Sequence, residues 1–146
     1  MNYAIVLRLL SYILLTEGAL LLLPAVASLC YGEWFVMGVF LFTAALSALA
    51  GALFHRVKAK SQIFYMREGF VTTALCWLLI SVVGAVPFVL TGCIPNPVDA
   101  LFETVSGFTT TGASILPAVA DLPKGILFWR SFTHWVGGMG VLVFLL

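Results

Sequence analysis

Charged residues are scarce in this chain. Lysine and arginine together number 7 and aspartate and glutamate 6, so 9% of the 146 residues are charged and 62% are hydrophobic. Soluble domains carry about 25% charged residues, which excludes an ordinary water-soluble fold. Together with the mean hydropathy of +1.14, this composition predicts an integral membrane protein. The net charge of +1 and the lack of a basic run give no basis for nucleic-acid binding.

Cysteine is also rare, and the three cysteines share no metal-ligand spacing. Cys76 lies inside an apolar run and is expected to be a packing residue. Cys30 and Cys93 would both lie near the outer surface in the topology predicted below. A disulfide between them therefore stays open as an alternative.

Four long apolar segments predict an all-α membrane fold. They run from Ala4 to about Leu29, from Trp34 to Phe54, from Gly69 to Gly92 and from Gly125 to Leu146. Each is long enough for a helix that crosses the bilayer, which needs about 20 residues. A signal peptide is disfavoured for the first segment, because the segment is too long and contains Glu17.

The first two spans are predicted to form a tight antiparallel hairpin. The second span is rich in small side chains, which let helices approach closely. Arg8 and Glu17 in the first span point to opposite faces and cannot pair with each other. We expect Arg8 to reach the inner interface and Glu17 to face the bundle interior with a partner. A packing role for Glu17 is favoured over ion handling.

Positive charge is concentrated between the second and third spans. Residues 55–68 hold four of the seven lysines and arginines. By the positive-inside rule this loop is cytoplasmic, and so is the N-terminus. The turn at residues 31–33 and the segment 93–124 then lie outside.

The stretch from Asn96 to Ser114 is a polar segment between apolar spans. Asn96 can cap a helix, Pro97 suits the first helical position, and Asp99 places a carboxylate near the free N–H groups of the first turn. A short helix is therefore predicted over Pro97–Phe108. Its length of about 18 Å reaches about halfway through the hydrocarbon core, so the helix enters the membrane and stops there.

The residues that follow this helix are three threonines, Thr109 to Thr111, then Gly112 and Ala113. β-Branched residues favour extended backbone, and the glycine permits a conformation closed to other residues. Carbonyl and hydroxyl oxygens can replace the hydration shell of a potassium ion without a charge that traps it. The segment is a candidate selectivity filter; a polar turn between packed helices is the alternative of equal weight.

The last span presents small and polar residues at three-and-four spacing, which predicts one face turned toward this loop. Three of the four residues from Gly137 to Gly140 are glycines, and they favour close approach of another backbone. The residues expected to support the loop as scaffold are Asp99, Glu103, Arg130, His134, Gly137 and Gly138.

Two stretches carry a resemblance to a known family. One runs from Asp99 to Ala113 and the other from Leu122 to Gly140, with Trp129-Arg130-Ser131-Phe132-Thr133-His134 at its centre. They closely resemble the Trk/Ktr/HKT potassium transporter family, and within it the bacterial TrkH-type membrane subunits. The resemblance implies two N-terminal helices and four repeats of helix, re-entrant pore loop and helix in a potassium-channel-like fold. The present chain would contain the two helices and the first repeat.

The resemblance also implies roles for individual residues. Thr110, Thr111, Gly112 and Ala113 would form one quarter of the filter, with potassium bound at Thr110 to Gly112 and Thr109 below or at the edge. Gly112 matches the filter glycine, where a serine in the first repeat of plant relatives goes with sodium preference. Gly112 thus favours potassium.

On this interpretation the chain divides into three parts. Residues 1–54 form a transmembrane hairpin, 55–68 a cytoplasmic basic loop and 69–146 the first pore repeat. Within that repeat the elements are a transmembrane helix at 69–92, a pore helix at 97–108, a filter at 109–114 and a second helix at 125–146.

The expected activity is potassium uptake across the bacterial inner membrane by a multi-pass protein, with no enzymatic reaction and no cofactor. Family resemblance implies homodimers and a cytosolic nucleotide-binding Trk regulatory subunit, and it leaves open symport with sodium or protons. Because family members are several times longer, the chain is expected to be an excerpt or the product of a broken gene. The second hypothesis is a non-conducting remnant or membrane interaction protein.

An intramembrane protease built on Ser106 and His134 is strongly disfavoured, since the sequence has no nucleophile motif and no group to orient the histidine.

Overall fold

The computed structural model describes residues 3–57 and 66–145, with side chains described up to residue 140. Within these ranges the regular elements are helices: α1 (Tyr3–Leu20), α2 (Leu22–Cys30), α3 (Trp34–His55), α4 (Met66–Leu90), α5 (Pro97–Phe108) and α6 (Lys124–Leu145). Most of the predicted basic loop, residues 58–65, lies outside the described ranges.

Among the described residues, three segments have the length and hydropathy of membrane-crossing helices: Tyr3–Cys30, Trp34–His55 and Met66–Leu90. The α6 helix has 22 residues, which corresponds to about 33 Å and is also enough to cross a hydrocarbon core of about 30 Å. The α5 helix has only 12 residues.

The first span is broken, whereas the sequence predicted one continuous helix. The α1 helix ends at Leu20 and α2 starts at Leu22. Pro24 explains the break, because it has no N–H to donate to the carbonyl of Leu20 and its ring crowds that carbonyl. The hydrogen bond from Ala25 to the carbonyl of Leu21 is stretched to 3.4 Å.

The α1 and α3 helices pack closely as the predicted hairpin. Ser47 of α3 donates a hydrogen bond of 2.7 Å to the carbonyl of Leu14 in α1. A Cβ atom on Gly51 would lie 2.9 Å from Leu15 Cγ and 3.1 Å from the carbonyl oxygen of Ser11. Small residues therefore bring these two helices together, as their abundance predicted.

The core lies where α2, α3, α4, α5 and α6 meet around Trp129, which is 1% exposed. Phe40 and Phe108 contact its ring edge-on, with centroids 6.3 and 6.4 Å away. Its indole N–H donates to the carbonyl of Gly84 at 3.0 Å. This one side chain thus links α6 to α3, α4 and the end of α5, and it fixes the height of α5 within the bundle.

Glu33, in the turn between α2 and α3, holds the start of α6. Its two carboxylate oxygens accept hydrogen bonds from the backbone N–H groups of Lys124 at 2.7 Å and Gly125 at 3.0 Å. These N–H groups have no partner within their own helix, and a carboxylate suits the positive end of the helix dipole. The N-terminal hairpin therefore positions α6 directly.

All three cysteines are free thiols. The disulfide that the sequence left open between Cys30 and Cys93 is not formed.

Candidate functional site

The site is built on α5, which begins as its sequence predicted. Asn96 lies at the N-cap, and its side-chain oxygen accepts a hydrogen bond of 3.0 Å from the N–H of Val98. Pro97 follows at the first helical position and Asp99 lies in the first turn. Asp99 is thus at the end of α5 away from the threonine segment. There its negative charge interacts favourably with the positive end of the helix dipole.

The chain turns sharply at the other end of α5. The N–H groups of Thr110 and Thr111 donate to the carbonyls of Gly107 and Ser106, both at 3.0 Å. Thr110 has φ 57° and Gly112 has φ 77°, both in the left-handed region. The glycine was expected there, but the threonine was not, because a β-branched residue is disfavoured in this conformation. These two residues send the chain back along α5.

The returning segment is exposed from Thr109 to Ile115. The hydroxyl of Thr109 donates to the carbonyl of Val105 at 2.7 Å and lies 2.8 Å from the hydroxyl of Thr111. The hydroxyl of Thr110 donates to the carbonyl of Thr109 at 2.7 Å. Because their protons are engaged locally, these threonines present oxygen lone pairs along one short stretch of chain.

Ser106 anchors the far end of this stretch. Its hydroxyl donates a hydrogen bond of 2.6 Å to the carbonyl of Ala113. The family resemblance implies that Ala113 belongs to the filter, and in the structure its carbonyl accepts this hydrogen bond from α5. Ser106 was missed as a supporting residue; its one sequence signal is a hydroxyl side chain two positions before the predicted end of the helix.

Glu103 braces the next two residues. Its carboxylate accepts hydrogen bonds from the hydroxyl of Ser114 at 3.1 Å to each oxygen and from the N–H of Ile115 at 3.0 Å. The same carboxylate forms an ion pair of 2.6 Å with Nε of Arg130 in α6. The Glu103 side chain is 1% exposed and that of Arg130 is 19% exposed. Helix α6 is therefore tied to the returning segment through one buried carboxylate.

The α6 helix lies against the end of α5 through glycines. A Cβ atom on Gly137 would overlap the backbone carbonyl of Phe108, and one on Gly107 would overlap the hydroxyl of Thr133. By contrast, a Cβ atom on Gly138 would come no closer than 3.8 Å to Thr110. Of the predicted glycine contacts, Gly137 is thus the one that sets the helix separation.

His134 lies near this contact without bonding the loop. Its Nδ1 is 2.9 Å from the carbonyl oxygen of Arg130 in its own helix. The side chain of Ser106 donates to Ala113 and not to His134. The pair therefore does not form the dyad that a protease would need.

Replacing Ser106 with alanine is expected to loosen the returning segment. Loss of a net hydrogen-bond contribution of about 1 kcal/mol corresponds to an about fivefold larger population of the open segment. Hydrogen–deuterium exchange of residues 109–116 should rise by that factor. Ser28→Ala is the matched control, since Ser28 is a buried serine that donates to Pro24 within its own helix. Equal exchange in both variants would contradict an anchoring role.

These features together define a class. A half-length helix that packs between two long helices and ends in a sharp threonine–glycine turn is the arrangement of a pore loop in a potassium-channel-like membrane protein. Irregular backbone of this kind is tolerated at membrane depth where protein buries it or where it lines a water-filled cavity.

Comparison with known proteins identifies the family. The family model described as "TrkH: Cation transport protein" matches residues 36–145. The chain therefore belongs to the TrkH family of cation transport proteins, which are integral membrane transporters and not enzymes.

Individual relatives agree with this assignment. The chain is 37% identical to an uncharacterized cation transporter of Methanocaldococcus jannaschii over 94% of its own length and 29% of the relative's length. It is 33% identical to the Trk system potassium uptake protein TrkH of Halomonas elongata. That match covers 98% of this chain and 30% of the relative's length.

A solved structure is also similar. The crystal structure of the potassium transporter TrkH from Vibrio parahaemolyticus superposes with a TM-score of 0.87 at 32% identity, covering 98% of this chain and 31% of that one. The chain thus spans about three tenths of the length of these relatives.

Proposed function

We propose that this chain supplies one of four repeats in a transporter that takes up potassium by selective permeation. The carrying observation is the braced turn after α5, with Gly112 at φ 77° and the carbonyl of Ala113 held by Ser106. The relatives from Halomonas elongata and Vibrio parahaemolyticus bear the name of Trk system potassium uptake proteins. Because the chain spans 30% of each, the activity of a complete transporter is part of the proposal.

The oxygens that face the ion are proposed to come from Thr110, Thr111 and Gly112, with Thr109 at the inner edge. Backbone carbonyls and threonine hydroxyls match the coordination that a dehydrating potassium ion needs. Ala113 ends the filter, since its carbonyl is directed toward Ser106. The exposed face of Thr109 to Ile115 is where three equivalent segments would complete the ring.

The negative end of α5 supports this role. The last carbonyls of a helix carry partial negative charge, and Thr109 is the C-cap residue of α5. These carbonyls would therefore stabilise a cation inside the filter without a fixed carboxylate, which would bind the cation too tightly. The nearest carboxylate, Glu103, is neutralised by Arg130.

We place the N-terminus and the loop at residues 55–68 in the cytoplasm, because the positive charges of Arg56, Lys58, Lys60 and Arg67 cluster there. The pore repeat then comprises residues 69–146 and the N-terminal hairpin residues 1–54. A location in the bacterial inner membrane, homodimers and a cytosolic nucleotide-binding Trk subunit are further parts of the proposal, and they rest on family membership. No cofactor is proposed.

Gly112→Ser is expected to reduce the selectivity for potassium over sodium. A residue other than glycine in the left-handed region costs about 1–2 kcal/mol, which corresponds to a factor of about 5–30 in the population of the native turn. Uptake of rubidium and sodium should be measured in a potassium-uptake-deficient strain that carries a complete four-repeat transporter containing this chain.

Gly92→Ser is the matched control for this measurement. Gly92 has φ 75°, and a Cβ atom on either glycine meets nothing within 4 Å, so the backbone cost is the same at a position outside the filter. Loss of rubidium selectivity is expected for Gly112→Ser only. An unchanged rubidium-to-sodium ratio in that variant would remove Gly112 from the filter.

A further inference from the structure

Two separate parts of the chain meet at the start of α6. Glu33 lies in the turn of the N-terminal hairpin, and its two carboxylate oxygens accept hydrogen bonds from the N–H groups of Lys124 at 2.7 Å and Gly125 at 3.0 Å. These partners are 91 and 92 positions away along the chain. Because hydrogen bonds form only over a narrow range of distance and angle, this contact fixes where α6 begins relative to the hairpin.

The packing around the contact leaves α6 little room to shift. A Cβ atom on Gly125 would overlap the hydroxyl of Ser28 in α2, and it would lie 3.1 Å from Cγ1 of Val36 in α3. The N–H of Glu33 donates to the carbonyl of Ser28 at 2.9 Å, which orders the turn that carries the carboxylate. The start of α6 therefore cannot move toward the hairpin, and movement away from it breaks both hydrogen bonds to Glu33.

The same contact holds one end of the connection between the threonine segment and α6. Ser106 holds the other end through its hydrogen bond of 2.6 Å to the carbonyl of Ala113. Residues 114–123 join these two fixed points and lead directly into Lys124. A displacement of the start of α6 therefore also displaces the connection that follows the threonine segment.

Two further contacts of α6 reach the end of α5. Nε of Arg130 forms the ion pair of 2.6 Å with Glu103, and Gly137 lies against the backbone carbonyl of Phe108. From Gly125 to Gly137 the helix rises by about 18 Å, and its continuous backbone hydrogen bonding carries a shift of one end along the whole axis. The height of α6 therefore decides where both contacts hold the end of α5.

We infer that Glu33 is a positioning residue for the filter: its carboxylate fixes the height of α6, and α6 fixes residues 109–113 through Glu103 and Phe108. The inference rests on the proposed function, because a selectivity filter is what these contacts would position. Glu33 acts through α6 and not on the ion. A carboxylate at a helix start also stabilises the helix through its dipole, so positioning has to be separated from capping by experiment.

Glu33→Gln keeps the shape of the side chain and removes its charge and one acceptor oxygen. Loss of a hydrogen bond to a charged group corresponds to an at least about tenfold larger population of the released helix start. In the purified complete four-repeat transporter that contains this chain, hydrogen–deuterium exchange of residues 124–127 should rise by that factor, and exchange of residues 109–116 should rise with it. The ratio of rubidium to sodium uptake in a potassium-uptake-deficient strain should fall. Asp121→Asn, which removes an exposed charge in the loop before α6, is the matched control and should change neither measurement.

A second substitution separates positioning from capping. The carbonyl of Pro123 accepts a hydrogen bond of 2.9 Å from the N–H of Leu127, so position 123 is the N-cap of α6. In Pro123→Ser the hydroxyl can accept a first-turn N–H from within the helix, without a tie to the hairpin. The variant that combines Glu33→Gln with Pro123→Ser should recover the unfolding temperature of the wild type but not its rubidium-to-sodium ratio, and Pro123→Ser alone should keep both. Recovery of the ratio in the combined variant would show that Glu33 only caps α6, and it would overturn the inference.

Gly125→Ala displaces the start of α6 without changing Glu33, and it tests the inference even if Glu33→Gln does not fold. The rubidium-to-sodium ratio should fall, and the further change Ser28→Ala should restore part of it, because the hydroxyl of Ser28 is the atom that the new Cβ meets first. An unchanged ratio in Glu33→Gln or in Gly125→Ala would contradict the inference. A wild-type transporter without preference for rubidium would instead contradict the proposed function, and exchange of residues 109–116 in Glu33→Gln would still decide whether the carboxylate positions that segment.

Discussion

Replacing Gly137 with alanine is expected to prevent α5 and α6 from packing. The added Cβ atom would lie 2.6 Å from the carbonyl carbon of Phe108 and 2.9 Å from its Cα atom, in addition to the overlap with the carbonyl oxygen. These are backbone atoms, which cannot rotate away as a side chain does. Overpacking costs about 1–3 kcal/mol or more even where side chains can adjust, so we expect the upper end of this range.

The functional consequence follows from the position of Phe108. Its carbonyl belongs to the last turn of α5, directly before Thr109, so any separation of the helices displaces the returning segment. Potassium uptake by a complete transporter that carries Gly137→Ala is expected to fall to background, together with a lower unfolding temperature of the purified protein.

Gly138→Ala is the matched control for this substitution. It lies one position further along the same helix, and its Cβ atom would come no closer than 3.8 Å to the Cγ2 atom of Thr110. Alanine is favoured over glycine in a helix by about 1 kcal/mol, so this variant should be neutral or more stable. Equal stability of the two variants would contradict the close approach at Gly137.

Glu103→Gln is the second substitution with a large expected effect. Every contact to the Glu103 carboxylate comes from a donor: the hydroxyl of Ser114, the N–H of Ile115 and Nε of Arg130. Glutamine offers one acceptor oxygen and turns an NH₂ group toward these donors. It also leaves Arg130 without its counter-charge, and breaking a buried pair in this way costs about 3–5 kcal/mol.

A double-mutant cycle measures the coupling energy between Glu103 and Arg130. Glu103→Gln, Arg130→Gln and the combined variant should be compared by chemical unfolding, and the coupling energy is expected to exceed 1 kcal/mol, within the range of about 0.5–3 kcal/mol seen for residues in contact. Asp99→Asn on the same helix is the control, where loss of a first-turn charge costs about 0.3–1 kcal/mol. Additive single effects would show that the ion pair does not brace the segment.

The local features of the site were predictable because their causes lie within a few residues. Asn96 and Pro97 start α5 through hydrogen bonding and backbone geometry of their own first turn, and the helix covers Pro97–Phe108 as predicted. Gly112 was expected in a conformation that other residues avoid, and it has φ 77°. The break at Leu21 was less predictable, because Pro24 accompanies it whereas Pro87 lies within α4 without breaking that helix.

The partners across helices could not be predicted in this way. Arg130 lies 27 positions from Glu103, and Lys124 lies 91 positions from Glu33. Both contacts depend on the relative height and rotation of whole helices, which many weak packing contacts decide together. Three glycines near the centre of α6 were expected to allow close approach, but only packing shows that Gly137, and not Gly138, meets a backbone.

The α5 helix shows most clearly the difference between features that the local sequence predicts and contacts that only helix packing decides. Its sequence has an apolar face that includes Phe102 and Val105, yet these side chains are 49% and 38% exposed, and the helix packs within this chain through Ala100, Glu103, Thr104 and Gly107. The sequence by itself determined the membrane class, the short helix and the threonine–glycine turn, because composition and local backbone chemistry suffice for them. Only the tertiary structure decided that Glu103, Ser106 and Gly137 hold that turn and that Glu17 is buried, because such contacts exist only once the helices have packed.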